Sequence, residues 1–280
     1  MVQEIIDVIA GLRAQRRSFA VATVVETAGS TSAKTGAKAV ISDDGKIVAG
    51  WVGGGCAEST TAQQALHCIA TGEPAIVDID LNDEILGAGM PCGGSMRVYV
   101  EPILPKPNLW ILGHGLIAQC LCAFANAVGF EVIINDPAVE RAQYPAAGRL
   151  ITDDLDYEQF QPQSQDFVVI ATQHRGDHES IKHALRSPTR YIALIASRKR
   201  SRLVMDYLRD EGVAQDDLAR VRAPAGLDLG ARTPEEIALS IISEIVLIRR
   251  GGTGAAMCTQ STEASRAGHT VNGMVHGSTK

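Results

Sequence analysis

The chain has 280 residues, 45% hydrophobic and 21% charged, with a formal net charge of -6 and a pI near 5.7. That length holds two ordinary domains with a core each, and the acidic balance excludes a nonspecific nucleic-acid binder, which needs a basic face. No segment reaches the about 18 uninterrupted apolar residues of a membrane span, and the 6 cysteines lack disulfide-framework spacing, which points to a reduced, cytoplasmic protein.

The opening stretch MVQEIIDVIAGLRAQRR places Ile5, Val8, Ile9 and Leu12 on one helical face. Its early acids and lack of a small-residue cleavage site set it apart from a signal peptide. FAVATVV (19–25) is β-branched and reads as a buried strand. After the polar loop ETAGSTSAKTGAK, the segments KAVIS and KIVAGWV flank Asp44-Gly45, a hairpin signal. GWVGGGCAES (50–59) then sets Gly53, Gly54 and Gly55 before Cys56. The following AESTTAQQALHCIATG reads as a helix closing at Gly72. AIVDIDL and SMRVYVEPI read as strands, so residues 1–103 form an α+β unit, and LPKPN (104–108), with two prolines, suits a linker.

The pattern then changes. LWILGHGLIAQCLCAFANAVGFEVIIND runs strand, glycine turn, apolar helix, Gly129, strand. DFVVIAT (166–172) and RYIALIAS (190–197) read as later strands, with helical stretches between them. Alternating β and α implies a parallel sheet with right-handed crossovers, so 109–222 reads as a Rossmann-like sheet. TPEEIALSIISEIVLIRRG (233–251) reads as a helix with Thr233 as N-cap, Pro234 in its first position and Glu236 completing a capping box. The expected fold is α/β: an N-terminal α+β domain, then a Rossmann-like domain over 109–250. The polar, aperiodic stretch 251–280 is expected to be a disordered tail.

Several clusters carry chemistry. Gly113, Gly115 and Ala118 fill a GxGxxA pattern between a strand and a helix, where helix amides hold a pyrophosphate. The next strand ends at Asn135-Asp136, near the place of a ribose-binding acid, and either residue can be the terminal one. A nucleotide-binding fold follows from this, but a redox reaction does not. Cys56 stands at a helix start, where backbone amides favour a thiolate; a small buried residue at a tight turn is the plainer alternative. Cys92 borders Gly93 and Gly94 in PCGGSMRVYVEP, so two cysteines in Gly-rich turns can converge on one ligand or belong to unrelated turns. Zinc needs paired ligand spacing, which His67 and Cys68, mid-helix, do not offer. Cys120 and Cys122, two apart on a helix, suit packing, and Cys258 reads as incidental. His174, Arg175, Asp177 and His178 follow a sheet strand, and Ser197 with Arg198 follows another; each group lines a cleft or is a solvated loop. Gly226, Asp228 and Gly230 make a tight loop, with Asp228 pointing into a site or ordering the turn.

GWVGGGCAE, PCGGSMRVYVEP, LGHGLIA, YIALIASRKR and PAGLDLGARTPEEIALSI stand in an order that resembles the XdhC/CoxI family over residues 1–250. These are accessory proteins of xanthine dehydrogenase and related molybdenum hydroxylases. The resemblance implies an N-terminal domain with cysteine motifs and a C-terminal Rossmann domain. It implies binding of molybdenum cofactor in its molybdopterin form, protection while a cysteine desulfurase supplies sulfur, and delivery to an apo-hydroxylase. Cys56 and Glu58 match its GGCxE positions, and Cys92, Gly93 and Gly94 its second motif, with Cys56 and Cys92 as molybdenum or sulfur contacts. Cofactor contact is carried to Gly53, Gly54, Gly55, Gly113, Gly115, Asp136, Ser197, Arg198 and Asp228, with a nucleotide in the Rossmann domain. No catalytic residue is expected. The chain departs from the family pattern at Gly53, at Ser32 and Ala33, and at Ala193 and Ala196, where glycines are expected; the two alanine methyls put ligand contact at that strand in doubt. A homodimer through the apolar C-terminal helix is expected. The competing readings are an NAD(P)-dependent oxidoreductase, and a sulfur carrier or metal binder using Cys56 and Cys92.

Overall fold

A computed structural model describes residues 2–81, 94–173 and 176–258. The chain forms two compact units, Met1–Pro105 and Lys106–Lys280.

The first unit runs α1 (Val2–Ala14), β1 (Phe19–Gly29), β2 (Lys38–Ser42), β3 (Ile47–Gly50), α2 (Cys56–Thr71), β4 (Ala75–Asp80) and β5 (Gly94–Ile103). The strands form an antiparallel sheet in the order β3-β2-β1-β5-β4. Strand alternation divides the core between its faces. Phe19 and Val40 join Ile5 and Leu12 of α1, while Ala20, Ala22, Val24 and Ile41 join Ala57, Ala65 and Cys68 of α2. Ile5 and Leu12 are buried and Val8 and Ile9 half-buried beside them, as the helical period requires. Gly72 ends α2 in the left-handed conformation, its N–H returning to the Cys68 carbonyl.

The second unit runs β6 (Asn108–Gly113), α3 (Leu116–Ala127), β7 (Glu131–Asn135), β8 (Arg149–Ile151), β9 (Phe167–Ala171), α4 (Asp177–Leu185), β10 (Tyr191–Leu194), α5 (Arg198–Asp210), α6 (Gln215–Leu218), β11 (Val221–Arg222) and α7 (Pro234–Arg250). Its sheet is parallel throughout, ordered β11-β10-β9-β6-β7-β8. This is the doubly wound Rossmann order, and the winding reverses between β6 and β9. Leu109 and Ile111 face a core with Leu121 of α3 and Ile241 and Ile245 of α7; Trp110 and Leu112 face Ile181 of α4 and Val204 and Leu208 of α5. Both faces of the strands are therefore covered, which explains their unbroken apolar runs.

Three details differ from the sequence expectation. Asn108 opens β6 and is not a connecting residue: its backbone N–H and its side-chain amide both donate to buried Asp166, each at 2.9 Å. The strand expected over 190–197 stops at Leu194, because Ser197 turns out to cap α5, its Oγ accepting the Arg200 N–H at 3.2 Å. β8 and β11, of 3 and 2 residues, are too short to show a period. The capping box of α7 is formed as expected; the N–H groups of Arg232 and Thr233 on the Glu236 carboxylate hold its pKa below the usual value. Among the described residues no helix is long and apolar enough to cross a membrane.

Candidate functional site

The reversal point of the second sheet carries a cavity of about 1030 Å³. Open α/β sheets bind ligands at this place, beyond the carboxyl ends of the strands. Three walls meet there: His114 to Ile117 after β6, Ala171 at the end of β9 with Gln173 beyond it, and Ile195 to Arg198 after β10. The loop 224–231 and the start of α7 close the fourth side. The β6–α3 turn is stiff. Buried Tyr144 accepts the Gly115 N–H on its hydroxyl at 3.0 Å, and the Gln173 amide donates to the His114 carbonyl at 3.3 Å.

Of the residues singled out in the sequence, Gly115, Ala196, Ser197, Arg198, Gly226, Asp228 and Gly230 line this cavity. Gly113 lies beneath it in the sheet, opposite Ala171. Arg198 Nη2 lies 3.7 Å from Asp228 Oδ2, both side chains highly exposed at 81% and 85%. Screening in water leaves such a pair worth little, and the guanidinium can take another anion. Ser197 is occupied as a helix cap. Ala196 lines the cavity, while Ala193 is fully buried in the core behind it, away from any ligand.

β7 ends at Asn135, which is buried and donates its amide to Asp154 Oδ2 at 3.0 Å. Asp136 is therefore the first residue past the strand. Its Oδ1 accepts the Ala138 N–H at 2.8 Å and lies 3.0 Å from His114 Nδ1. Asp177 does not line a cleft: it is buried at the start of α4, accepting from Thr172 Oγ1 and from Arg200 Nε at 3.1 Å. His178 packs edge-on to the Tyr207 ring, 5.0 Å between centroids. His174 and Arg175 lie outside the described residues.

Loop 224–231 is held from behind by Glu244. This carboxylate is buried on α7 and accepts from the Tyr191 hydroxyl at 2.6 Å, Arg222 Nη1 at 3.0 Å and the Gly226 N–H at 3.0 Å. Burial, first, and then the neighbouring carboxylate push the Tyr191 pKa well up, so the hydroxyl stays a donor. Glu244→Ala is expected to strand that hydroxyl and the Gly226 N–H, and to cost about 3 kcal/mol. Urea unfolding measures the loss; a change within about 0.5 kcal/mol would show that the network is not holding the loop.

In the first unit, Gly53 to Cys56 form the turn into α2, with Glu58 in its first helical turn. Gly53 faces inward, where an added Cβ would sit 3.2 Å from Ala57 Cβ and 3.5 Å from Ser32 Oγ. Gly54 and Gly55 face outward, and a Cβ on either would meet no atom within 4 Å. Backbone is thus open to a ligand beside the half-buried Cys56 thiol. Gly94 has a structural reason of its own. It faces Gly29 across the β1–β5 ladder, where a Cβ would come within 2.6 Å of the Ala28 carbonyl oxygen. Cys92 and Gly93 lie outside the described residues. Among the described residues no cluster of three or more His, Cys, Asp or Glu side chains has metal-holding geometry.

Residues 109–245 match the XdhC Rossmann domain, and residues 12–80 match the XdhC and CoxI family. The chain belongs to the XdhC and CoxI family. It is 29% identical to an uncharacterized protein YqeB of Escherichia coli (strain K12), over 90% of this chain and 47% of that protein. It is 31% identical to a probable xanthine dehydrogenase subunit of Bacillus subtilis (strain 168), over 55% of this chain and 46% of the relative. It is 22% identical to the molybdenum cofactor insertion chaperone PaoD of Escherichia coli (strain K12), over 81% of this chain and 82% of that one. The chain spans about half the length of the first two relatives.

In this XdhC and CoxI family member, the sequence pattern passes over four residues that shape the cavity. His114 is the middle residue of the GxG turn, where the motif specifies nothing. Gln173 lies inside a polar loop whose charged members are the more conspicuous. Tyr144 sits in an aperiodic stretch and gives no signal. Glu244 has one: it interrupts the apolar face made by Ile237, Ile241, Ile245 and Ile248, and a charge there needs a buried partner.

Proposed function

We propose that the chain binds molybdenum cofactor as cargo and delivers it to an apo-hydroxylase of the xanthine dehydrogenase type, with a cysteine desulfurase as the source of the cofactor's terminal sulfur. The family and the names of two relatives support this reading. In the first unit, Gly54 and Gly55 leave room for the cargo beside Cys56, whose soft sulfur suits a metal or a sulfido ligand. Cys92, Gly93 and Gly94 are proposed as its second contact and Glu58 as a polar neighbour. In the second unit, the cavity takes a phosphate-bearing ligand, with Gly113 shaping the turn, Gly115 and Arg198 at the anion, and Ser197 and Asp228 at the rim.

The observation that carries a carrier role over catalysis is the state of four of the cavity's polar side chains. Ser197 caps α5, Gln173 braces the His114 carbonyl, Ser240 donates to the Ile237 carbonyl, and Arg198 rests on Asp228. These four are engaged in the fold or lie open to water, which suits holding a ligand better than moving a proton within it. The test is to mix the purified protein with molybdenum cofactor, desalt, and assay molybdenum and pterin. Both are expected to comigrate with the protein stoichiometrically, and no NAD(P)H oxidation is expected with aldehydes, ketones or purines. Persulfide on cysteine without pterin would point to a sulfur carrier. Robust nicotinamide turnover would point to an oxidoreductase.

A further inference from the structure

Dinucleotide-binding Rossmann folds place a carboxylate about 20 residues past the glycine turn and use it to bind ribose hydroxyls. Asp136 occupies that place, yet it is not among the described residues lining the cavity. Its side chain is only 15% exposed and faces His114, with Nδ1 3.0 Å from Oδ1. That approach is at ion-pair distance but outside hydrogen-bond geometry, and Nδ1 is fully buried with no hydrogen-bond partner. His114 itself lines the cavity and is 36% exposed, so the open part of the ring lies away from Nδ1.

We infer that His114, and not Asp136, is the side chain of the β6–α3 turn that meets the ligand, and that the pair selects a phosphate or pyrophosphate anion over a ribose diol. The inference rests on the reading of this cavity as the seat of a phosphate-bearing ligand. The imidazole would lie between the Asp136 carboxylate on one edge and the ligand anion on the other. The remaining groups around the pair leave this role to His114. Tyr144 and Tyr157 stay neutral, since burial pushes both their pKa values up. Asp154 is engaged by Asn135 and by the N–H groups of Glu158 and Gln159. Gln173, from the end of β9, is uncharged. Asp177 is bound to Arg200, and Arg198 with Asp228 stands on the loops of the other wall. A carboxylate turned towards His114 and away from the cavity is not placed to accept from a ribose.

ADP-ribose tests this, because it offers a pyrophosphate diester and a ribose diol in one probe. Isothermal titration of the full chain is expected to give affinity about tenfold or more lower for His114→Gln than for the parent, since the substitution removes the imidazole that faces the anion. 2′-Deoxy-ADP-ribose is expected to match ADP-ribose within about twofold, since Asp136, turned to His114, does not read the missing hydroxyl. Asp136→Asn keeps the imidazole and should not restore discrimination between the two probes. Binding unchanged in His114→Gln overturns the inference and leaves the cavity reading standing. A deoxy probe weaker by about tenfold, with the difference lost in Asp136→Asn, overturns it too and returns the ribose contact to Asp136. No binding of either probe overturns the inference together with the cavity assignment. Cofactor comigration reports separately on the carrier reading.

Discussion

Cys56→Ser is expected to weaken retention of molybdenum cofactor by at least about tenfold, since loss of a mere outer partner of a metal site already costs that much. The substitution keeps the volume nearly constant and exchanges a soft sulfur for a hard oxygen. Activation of an apo-hydroxylase should fall with retention. Stability should stay within about 1 kcal/mol, because the side chain is half-buried at the first position of α2 rather than set in the core. Cys92→Ser should weaken retention in the same assay if the two cysteines share the cargo, and Cys120→Ser should not. The other thiols give an internal comparison. Cys68 is fully buried. Burial pushes the Cys122 pKa up to about 11, and burial followed by the charge of Glu235 raises that of Cys120. Thiolate is the reacting form, so in a Cys258→Ser background, which removes the exposed tail thiol, Cys56 should alkylate before Cys68, Cys120 or Cys122. A Cys56→Ser protein that stays folded and still carries and transfers cofactor would reduce the thiol to a space-filler and leave the glycines as the working element.

Gly113→Ala is expected to be the most damaging single methyl that can be added to the second unit. Gly113 adopts φ +120°, and its Cβ would stand 2.2 Å from the Ala171 carbonyl oxygen and 2.7 Å from the Thr172 nitrogen. These atoms belong to the neighbouring backbone, so no side chain can swing away. β6 and β9 must separate at the point where the cavity opens. Strain of about 1–3 kcal/mol for the dihedral and a similar penalty for overpacking add to about 3 kcal/mol or more. For a unit of this size that lowers the melting temperature by on the order of 10 °C. Gly54→Ala is the matched control: with no neighbour within 4 Å of its Cβ, it should move stability by about 0.5 kcal/mol or less. Differential scanning calorimetry reads both. Equal melting temperatures for Gly113→Ala and the parent would mean that the turn relaxes more freely than this close packing allows.

The local code determined a good deal by itself. The spacing of Ile5, Val8, Ile9 and Leu12, the Gly72 stop, and the Thr233-Pro234-Glu236 start of α7 depend on neighbours within a turn or two, so they are visible along the chain. The unbroken apolar runs of β6, β7 and β9 told of a sheet covered on both faces. GHGLIA, standing between such a strand and an apolar helix, told where the glycine turn of that sheet would stand. What the tertiary structure decided lies in contacts between distant segments. Asp166 claims Asn108, 58 residues earlier, and makes it the first residue of β6. Asp177 turns inward because Arg200, 23 residues on, arrives to neutralise it. Loop 224–231 takes its shape from Glu244, a carboxylate tolerated inside the core only because Tyr191, Arg222 and the Gly226 N–H converge on it. The same holds at the cavity. Sequence spacing put Asn135 and Asp136 near the place of a ribose-binding acid, but spacing fixes only where a residue stands along the chain. The partner that its carboxylate faces is set by how β6 and β7 lie side by side, and that juxtaposition brings His114 against it.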